Sequence, residues 1–107
     1  MKHKLKLLVM LVTLVTGSSM ANDKVSMIID VRTQNEWDLG HIDRAVHLPL
    51  DSFEGVIESL VIDKGTPVYL YCRSGNRSSN ALQIMQKLGY TNVVNVGGIN
   101  EARKRFE

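Results

Sequence analysis

An apolar run followed by a polar loop occupies residues 68–78, which read Val68-Tyr69-Leu70-Tyr71-Cys72-Arg73-Ser74-Gly75-Asn76-Arg77-Ser78. The apolar half is typical of a buried strand, and the residues from Ser79 to Leu88 have a helical pattern. A cysteine at a strand-to-helix turn faces backbone N–H groups and the positive end of a helix, which favours its thiolate. The same geometry attracts anions. The loop therefore predicts a nucleophilic Cys72 that acts on an anionic substrate.

The first 21 residues have the features of a secretory leader. Three lysines precede an apolar run from Leu7 to Val15, and small residues mark a cleavage site after Ala21. That run is well short of the ~20 residues that span a bilayer. We expect a periplasmic protein that loses residues 1–21 as a signal peptide and keeps no stable membrane anchor. Its single domain would then be residues 22–107.

The net charge of the domain differs from that of the whole chain. The chain has 13 Lys and Arg against 11 Asp and Glu, and three of its lysines lie in the leader. Residues 22–107 therefore carry 10 basic and 11 acidic side chains, a net charge of −1. This composition gives no reason to expect a nucleic-acid partner. We expect a monomer, because the domain is small and its pattern leaves no obvious exposed apolar stripe.

Cys72 is the only cysteine in the chain. Exported proteins commonly use cysteines in disulfide pairs, so an unpaired one indicates a reactive thiol or an intermolecular bridge. A buried structural cysteine is the alternative, but the glycine, serine, asparagine and arginine residues that follow Cys72 favour a reactive thiol. His41 and His47 have no partner at metal-ligand spacing, and no Cys-x-x-Cys motif is present. We predict no metal site and no cofactor.

Short apolar runs alternate with helical segments along the domain. Strands are predicted at residues 27–31, 45–48, 68–71 and 93–96, and helices at residues 33–39, 51–60, 78–88 and 99–106. This alternation predicts an α/β fold with a parallel sheet that is covered by helices on both faces. In such folds the site lies at the carboxyl ends of the strands, where the Cys72 loop is found.

Capping residues give the predicted helix ends. Thr33 followed by Glu36 has the spacing of a capping box. We expect Asp51 or Ser52 to cap the second helix and Ser78 or Ser79 to cap the third. Gly89 is placed to end the third helix.

Three segments of the chain resemble, in order and spacing, those of single-domain rhodanese-like proteins. Together they cover nearly all of residues 22–107, and the leader and small size resemble the periplasmic members. The segments are Asp30-Val31-Arg32 with Glu36, Gly40-His41-Ile42-Asp43-Arg44-Ala45 and Leu48-Pro49; Cys72 to Ser78; and Gly89-Tyr90, Asn92-Val93 and Gly97-Gly98-Ile99.

The resemblance implies a rhodanese-like parallel sheet of four to five strands and a thiosulfate sulfurtransferase activity. Cys72 would take the outer sulfur of thiosulfate as a persulfide and pass it to cyanide or a thiol. Backbone N–H groups of the loop would hold the persulfide or the departing anion, and Gly75 would permit the tight turn. The implied substrate-binding residues are Arg73, Ser74, Gly75, Asn76, Arg77 and Ser78, with Arg77 either binding the anion or ordering the loop.

Asp30, Arg32 and Glu36 are interpreted as structural support for the site. We expect Arg32 to pair with Glu36 or another nearby carboxylate, and Asp30 to brace the neighbouring loops.

Other functions stay open from the sequence. Cysteine phosphatases use a loop one residue longer, which disfavours phosphatase or arsenate reductase chemistry here. A persulfide carrier that does not turn over thiosulfate, or a thiol sensor or binding module, would use the same Cys72.

Overall fold

The computed structural model describes residues 25–107 of the chain. Strands and helices alternate throughout that range. The strands are β1 (Met27–Asp30), β2 (Val46–His47), β3 (Val68–Cys72) and β4 (Val93–Gly98). The helices are α1 (Gln34–Asp38), α2 (Leu50–Leu60), α3 (Asn76–Lys87) and α4 (Ile99–Phe106). The predicted α/β class is therefore confirmed.

The strands form one parallel sheet in the order β2-β1-β3-β4. Because all strands run the same way, their carboxyl ends lie along a single edge. Within residues 25–107 the sheet has four strands, the lower number of the predicted four to five.

The two faces of the sheet are buried by different helices. Residues of alternating orientation along β1 and β3 divide between two apolar clusters, as the two-residue period of a strand requires. Ile29, Leu70 and Cys72 pack with Phe53 of α2 and Met85 of α3. Ile28 and Tyr71 pack on the opposite face with residues of α4, among them the buried Ala102. Cys72 therefore points toward the side of the sheet covered by α2 and α3.

Two of the predicted helix caps are wrong. Helix α2 begins at Leu50 after Pro49, without a side-chain cap, rather than at Asp51 or Ser52. The fixed φ of proline near −60° suits a helix start and explains the shift. Helix α3 begins at Asn76, with Gly75 as its N-cap, so neither Ser78 nor Ser79 caps it. Ser78 instead lies inside the helix and is buried.

The remaining helix ends agree with the sequence. Thr33 and Glu36 form the predicted capping box of α1. Gly89, just beyond the end of α3, has the positive φ of 97° that a C-terminal glycine supplies. Helix α4 has the predicted bounds, and Glu101 of its first turn accepts a hydrogen bond from the N–H of Gly98.

Strand β4 is longer than predicted, because Gly97 and Gly98 belong to it. Leu70 of β3 pairs with Asn95, but the next residue, Tyr71, pairs with Gly97, so Val96 is bulged out of register. The bulge brings Gly98 opposite Cys72. The end of β4 therefore lies directly against the start of the Cys72 loop.

The predicted signal peptide, residues 1–21, lies outside the described residues, so cleavage after Ala21 stays a prediction. Within residues 25–107, no helix is both long enough and apolar enough to cross a membrane.

Candidate active site

Cys72 is the last residue of β3, and its side chain is almost fully buried, at 1% exposure. The loop that follows folds back over the sulfur. The N–H of Gly75 donates a hydrogen bond to Sγ at 2.9 Å, and the Ser78 hydroxyl lies 3.4 Å from Sγ. The sulfur therefore lies under a short loop whose polar groups point at it.

The environment of Cys72 favours the thiolate. Burial raises the pKa of this thiol, but hydrogen bonds from the Ser78 side chain and from the backbone of Ser78, Gly75 and Ser74 outweigh burial and lower the pKa below its ordinary value of 9.0. Hydrogen bonds to the charged form of an acid stabilise that form. A buried thiol with this arrangement differs from an inert core cysteine, whose pKa would rise.

Two glycines allow the loop to approach β4. Gly75 has a φ of 104°, a conformation that residues with a Cβ adopt with strain. A Cβ on Gly98 would lie 2.3 Å from the carbonyl oxygen of Arg73, well inside contact distance. The sequence predicted the role of Gly75, whereas the need for glycine at 98 follows from this backbone contact.

Asn95 of β4 joins the loop to the sheet, and sequence reasoning did not identify it. Its Nδ2 donates to the carbonyl oxygen of Gly75 at 3.1 Å. Its Oδ1 accepts from the Ser78 hydroxyl at 2.7 Å and from the N–H of Gly97 at 3.0 Å. Asn95 lies within an apolar run that was predicted as a strand. Its polar side chain in that run was the one feature of the sequence that could have indicated a role at the site.

Ser78 contacts the sulfur rather than the solvent. It is fully buried, and its hydroxyl lies near three acceptors: Asn95 Oδ1 at 2.7 Å, the Gly75 carbonyl at 3.2 Å and Cys72 Sγ at 3.4 Å. The side chain predicted to bind substrate therefore faces inward, and its hydroxyl acts on Cys72.

Arg77 is held by a carboxylate of another element. Its two terminal nitrogens donate to the two carboxylate oxygens of Glu36 at 2.7 and 3.0 Å. The hydrogen bonds from Arg77 lower the pKa of Glu36 most, burial opposes them, and hydrogen bonds from Thr33 lower it further, so that it falls to about 2 from its ordinary 4.5. This bidentate pair favours the loop-ordering alternative for Arg77 over direct anion binding.

Arg73 differs from Arg77 in having no ion pair and no hydrogen bond within residues 25–107. It is exposed, as are Ser74 and Asn76, so these three side chains lie on the outer surface of the loop. Arg73 is thus the uncompensated cation nearest to Cys72 along the chain.

Asp30 and Arg32 form a buried ion pair at the end of β1. The carboxylate is fully buried, and its oxygens accept from Arg32 Nε and Nη2 at 2.8 to 3.0 Å. Arg32 Nη2 also donates to the Gly40 carbonyl at 2.7 Å. Of the two partners considered for Arg32, the nearby carboxylate Asp30 is the one it contacts, while Glu36 serves Arg77. These contacts support the structural interpretation of both residues.

His41 and His47 each stack with the ring of Trp37. The ring centroids of Trp37 and His41 are 3.4 Å apart, and those of Trp37 and His47 are 4.7 Å apart. One ring nitrogen of each histidine contacts a backbone carbonyl, that of Trp37 for His41 and that of Arg32 for His47. In the described part of the chain, no group of three or more His, Cys, Asp or Glu side chains has a metal-binding arrangement.

A cavity of about 290 Å³ lies beside the loop. Arg77 lines it together with residues at the starts of α1 and α2, among them Gln34, Leu50 and Asp51. The cavity is therefore at the carboxyl edge of the sheet, as expected for a ligand site in a parallel α/β fold.

Comparison with known proteins identifies the class of this domain. The model of the rhodanese-like domain matches residues 16–104. Thiosulfate sulfurtransferase PspE of Escherichia coli K12 is 36% identical over 73 residues, which cover 68% of this chain and 70% of that protein. A solved structure described as rhodanese with anions from E. coli has a TM-score of 0.69 and 34% identity, covering 72% of this chain and 91% of its own. The chain belongs to the rhodanese-like domain family.

Other relatives are much longer proteins. The tRNA uridine(34) hydroxylase of Sodalis glossinidius is 34% identical over 93 residues, which cover 82% of this chain and 26% of the hydroxylase. The chain thus spans about a quarter of that relative. Members of this family are described with different activities. Membership of the family therefore does not determine the substrate of this chain.

Gly98→Ala tests the contact between β4 and the loop. Because the added Cβ would collide with the Arg73 carbonyl, we expect a loss of ~1–3 kcal/mol in the free energy of unfolding. We also expect a higher pKa of the Cys72 thiol, obtained from iodoacetamide alkylation at a series of pH values, because the hydrogen bonds of the loop move off the sulfur. Urea unfolding and intact mass after timed alkylation measure the two effects.

The matched control is Gly55→Ala, since a Cβ at this position of α2 would meet nothing within 4 Å. Alanine there should stabilise the helix by up to ~1 kcal/mol and leave alkylation unchanged. Equal behaviour of the two variants would contradict the proposed role of the Gly98 contact.

Glu36→Gln tests the ion pair with Arg77 through pH. The folded-state pKa of Glu36 is depressed to about 2, so the ionised carboxylate stabilises the fold above its ordinary pKa of 4.5 and this contribution is lost as pH falls toward 2. The variant should be less stable by about 1 kcal/mol at neutral pH and show a flatter stability profile between about pH 5 and 2. Urea unfolding across that range measures both, with the exposed Glu54→Gln as control. A profile as steep as that of the unmodified chain would disprove the ion-pair contribution.

Proposed function

We propose that this protein is a thiosulfate-type sulfurtransferase in which Cys72 is the nucleophile. The Cys72 thiolate attacks the outer sulfur of thiosulfate, the S–S bond of the donor breaks, and its electron pair leaves with sulfite. The enzyme then carries a persulfide on Cys72. An acceptor thiolate or cyanide attacks the outer sulfur of that persulfide, and the electron pair of the second S–S bond returns to Cys72.

The observation that carries this proposal is the hydrogen-bonded environment of the buried sulfur. The N–H of Gly75 and the hydroxyl of Ser78 lie within 3.4 Å of Sγ, and the pKa of the thiol is lowered although burial alone would raise it. A thiolate is required both as nucleophile and as leaving group in the two steps. Ser74, Gly75 and Ser78 are therefore proposed to act mainly through their hydrogen bonds to sulfur.

The charges around the loop support a small anionic donor. Arg73 is exposed and has no ion pair within the described residues, so its charge is available to thiosulfate. Arg77 is neutralised by Glu36, and we propose that it orders the loop. Asn76 is exposed at the start of α3.

The arrangement of Arg77 disfavours a phosphatase or an arsenate reductase. In such a site the loop arginine would donate both terminal nitrogens to the oxyanion, whereas both nitrogens of Arg77 are used by Glu36. The loop is also one residue shorter than in cysteine phosphatases. A smaller loop suits a single sulfur atom better than a tetrahedral oxyanion.

The relatives give support of different strength. PspE is described as a thiosulfate sulfurtransferase, and this chain matches 70% of its length. The rhodanese structure from E. coli is described with anions, which fits an anion-attracting loop. We extend these descriptions to the present chain as part of the proposal, together with export to the periplasm and a monomeric state.

The cavity beside Arg77 gives the acceptor a place to bind. Its volume of about 290 Å³ suits a small thiol, and its lining combines apolar Leu50 with polar Gln34. We propose a thiol as the acceptor, with cyanide as a convenient substitute in the assay.

The test is an intact-mass spectrum of the purified chain after reaction with thiosulfate, with Cys72→Ser as control. We expect a gain of one sulfur atom on the unmodified chain alone, and its discharge by cyanide as thiocyanate over many turnovers. The same spectrum reads the N-terminus, and a chain that begins at Asn22 after expression in an exporting host would support the predicted leader.

Other outcomes would select the alternatives. Sulfur gain from thiosulfate on Cys72→Ser would remove Cys72 from the mechanism. A chain that accepts sulfur only from a protein persulfide would be a carrier rather than a thiosulfate sulfurtransferase. A folded, reduced chain that accepts no sulfur from either source would overturn the proposal and favour a thiol-sensing or binding module.

Arg73→Ala tests the proposed donor site. Loss of an exposed charge near a dianion should raise the KM for thiosulfate by roughly threefold to tenfold and change kcat less, because Arg73 would contribute mainly uniform binding. The wild-type KM should rise with ionic strength, and that dependence should weaken in the variant. Arg44→Ala, whose guanidinium lies over Phe106 instead, is the matched control. An unchanged KM in Arg73→Ala would mean that Arg73 is not at the donor site.

A further inference from the structure

The Ser78 hydroxyl has one proton and more than one acceptor for it. The proton can go to Asn95 Oδ1 at 2.7 Å, to the Gly75 carbonyl at 3.2 Å or to Cys72 Sγ at 3.4 Å. The Gly75 carbonyl already accepts from the N–H of Ser79 at 3.0 Å and from Asn95 Nδ2 at 3.1 Å. Its two lone pairs are thus occupied, which leaves Asn95 and the sulfur as the main competitors.

The orientation of the Asn95 amide is fixed by its neighbours. The N–H of Gly97 can only donate, so the atom 3.0 Å from it must be the amide oxygen. The Gly75 carbonyl can only accept, so the atom facing it must be the amide nitrogen. Oδ1 therefore faces the Ser78 hydroxyl as an acceptor, and an amide flip would break both contacts.

We propose that Asn95 is a positioning residue that competes with the Cys72 thiolate for the Ser78 hydroxyl proton. With a neutral thiol, Ser78 donates to Asn95 Oδ1, and the S–H of Cys72 donates to the free lone pair of Ser78. With a thiolate, the hydroxyl rotates and donates to Sγ, and Asn95 Oδ1 keeps only the N–H of Gly97.

This competition has a consequence for sulfur transfer, which rests on the proposed function. When the acceptor attacks the outer sulfur of the persulfide, the S–S bond breaks and its electron pair moves to Sγ. The Ser78 proton can then turn from Asn95 to the new thiolate. The hydrogen bond to sulfur would therefore be strongest when the negative charge arrives there, which is where it lowers the barrier.

The charged groups near Cys72 are the same in the unmodified chain and in Asn95→Leu, whereas Asn95→Asp adds a carboxylate of its own. Arg77 of α3 is the charged group that acts on the sulfur, and it is paired with Glu36 of α1. Arg73 lies in the loop, and the Asp30–Arg32 pair lies at the end of β1. The shift in Asn95→Leu therefore reports on the hydroxyl network, and the Ser78→Ala background separates that network from the added charge of Asn95→Asp.

The experiment is the pH dependence of Cys72 alkylation by iodoacetamide, which gives the pKa of the thiol. Asn95→Leu removes the acceptor, so the remaining competitor is the Gly75 carbonyl, at the longer distance of 3.2 Å. The measured pKa should fall by about half to one unit. Asn95→Asp keeps an acceptor at the same place and adds a negative charge, so the pKa should rise for both reasons, and the part of the rise that disappears in a Ser78→Ala background is due to the competition.

Both substitutions lose the donor to the Gly75 carbonyl, so they are matched for loop support. A fall of the pKa in Asn95→Leu would support the proposal, whereas a rise would assign the effect to lost loop support and overturn it. In a Ser78→Ala background, Asn95→Leu should leave the pKa unchanged, and a persisting shift would also overturn the proposal. If circular dichroism shows that Asn95→Leu does not fold, Asn95→Ala replaces it with the same expectation.

Alkylation needs no sulfur donor, so this result is independent of the sulfurtransferase test. A chain that fails to take sulfur from thiosulfate can still show the lower thiol pKa in Asn95→Leu. A chain that turns over thiosulfate can equally show no such change, in which case only the role of Asn95 is lost.

Discussion

The close contact between the Cys72 loop and the end of β4 is the constraint on which the candidate site depends. The bulge at Val96 brings Gly98 opposite Cys72, and only a residue without a Cβ leaves room there for the Arg73 carbonyl. Asn95 adds hydrogen bonds to Gly75 and Ser78 from the same strand. The donors that face the sulfur are thus held by a neighbouring strand as well as by the loop itself.

The two arginines of the loop have different surroundings, and this difference gives the site its charge. Arg77 is committed to Glu36, which also caps α1 through Thr33. Arg73 is exposed on the outer side of the loop and has no ion pair among residues 25–107. One cation therefore stabilises the structure, while the other is available to an incoming anion. Asp30 and Arg32 form a separate ion pair at the end of β1.

Much of the fold could be predicted because it follows from short-range patterns. The apolar runs gave all four strands, and the Thr33–Glu36 spacing gave the capping box of α1. The start of α3 was mispredicted because serine is a common N-cap, whereas here Gly75 in a left-handed conformation starts the helix and leaves Ser78 for the sulfur. The extent of β4 was missed because glycines usually end strands, and these two are needed by the loop.

The sequence could predict that Cys72 lies in a polar loop between a strand and a helix, but not which side chains pair around that loop. Cys72 and its loop lie in one continuous segment, so sequence spacing was informative. The partner of Arg32 is the carboxylate that the fold brings close, and the sequence did not decide between Glu36 and Asp30. Glu36 instead binds Arg77, which lies 41 residues later in the chain. Asn95 was missed for the same reason, since its contacts join β4 to a loop about twenty residues earlier in the chain.

The contact between the Cys72 loop and β4 forms late, because β4 is synthesised after the loop. A nascent chain that ends before Val93 contains Cys72 and its loop but lacks Asn95, Gly97 and Gly98, which hold that loop over the sulfur. Its thiol would have the ordinary reactivity of a free cysteine. The full set of hydrogen bonds around the sulfur is held in place only when the last strand has been made and has paired with β3. In the unfolded chain, where Cys72 is most accessible, its thiol therefore has an ordinary pKa.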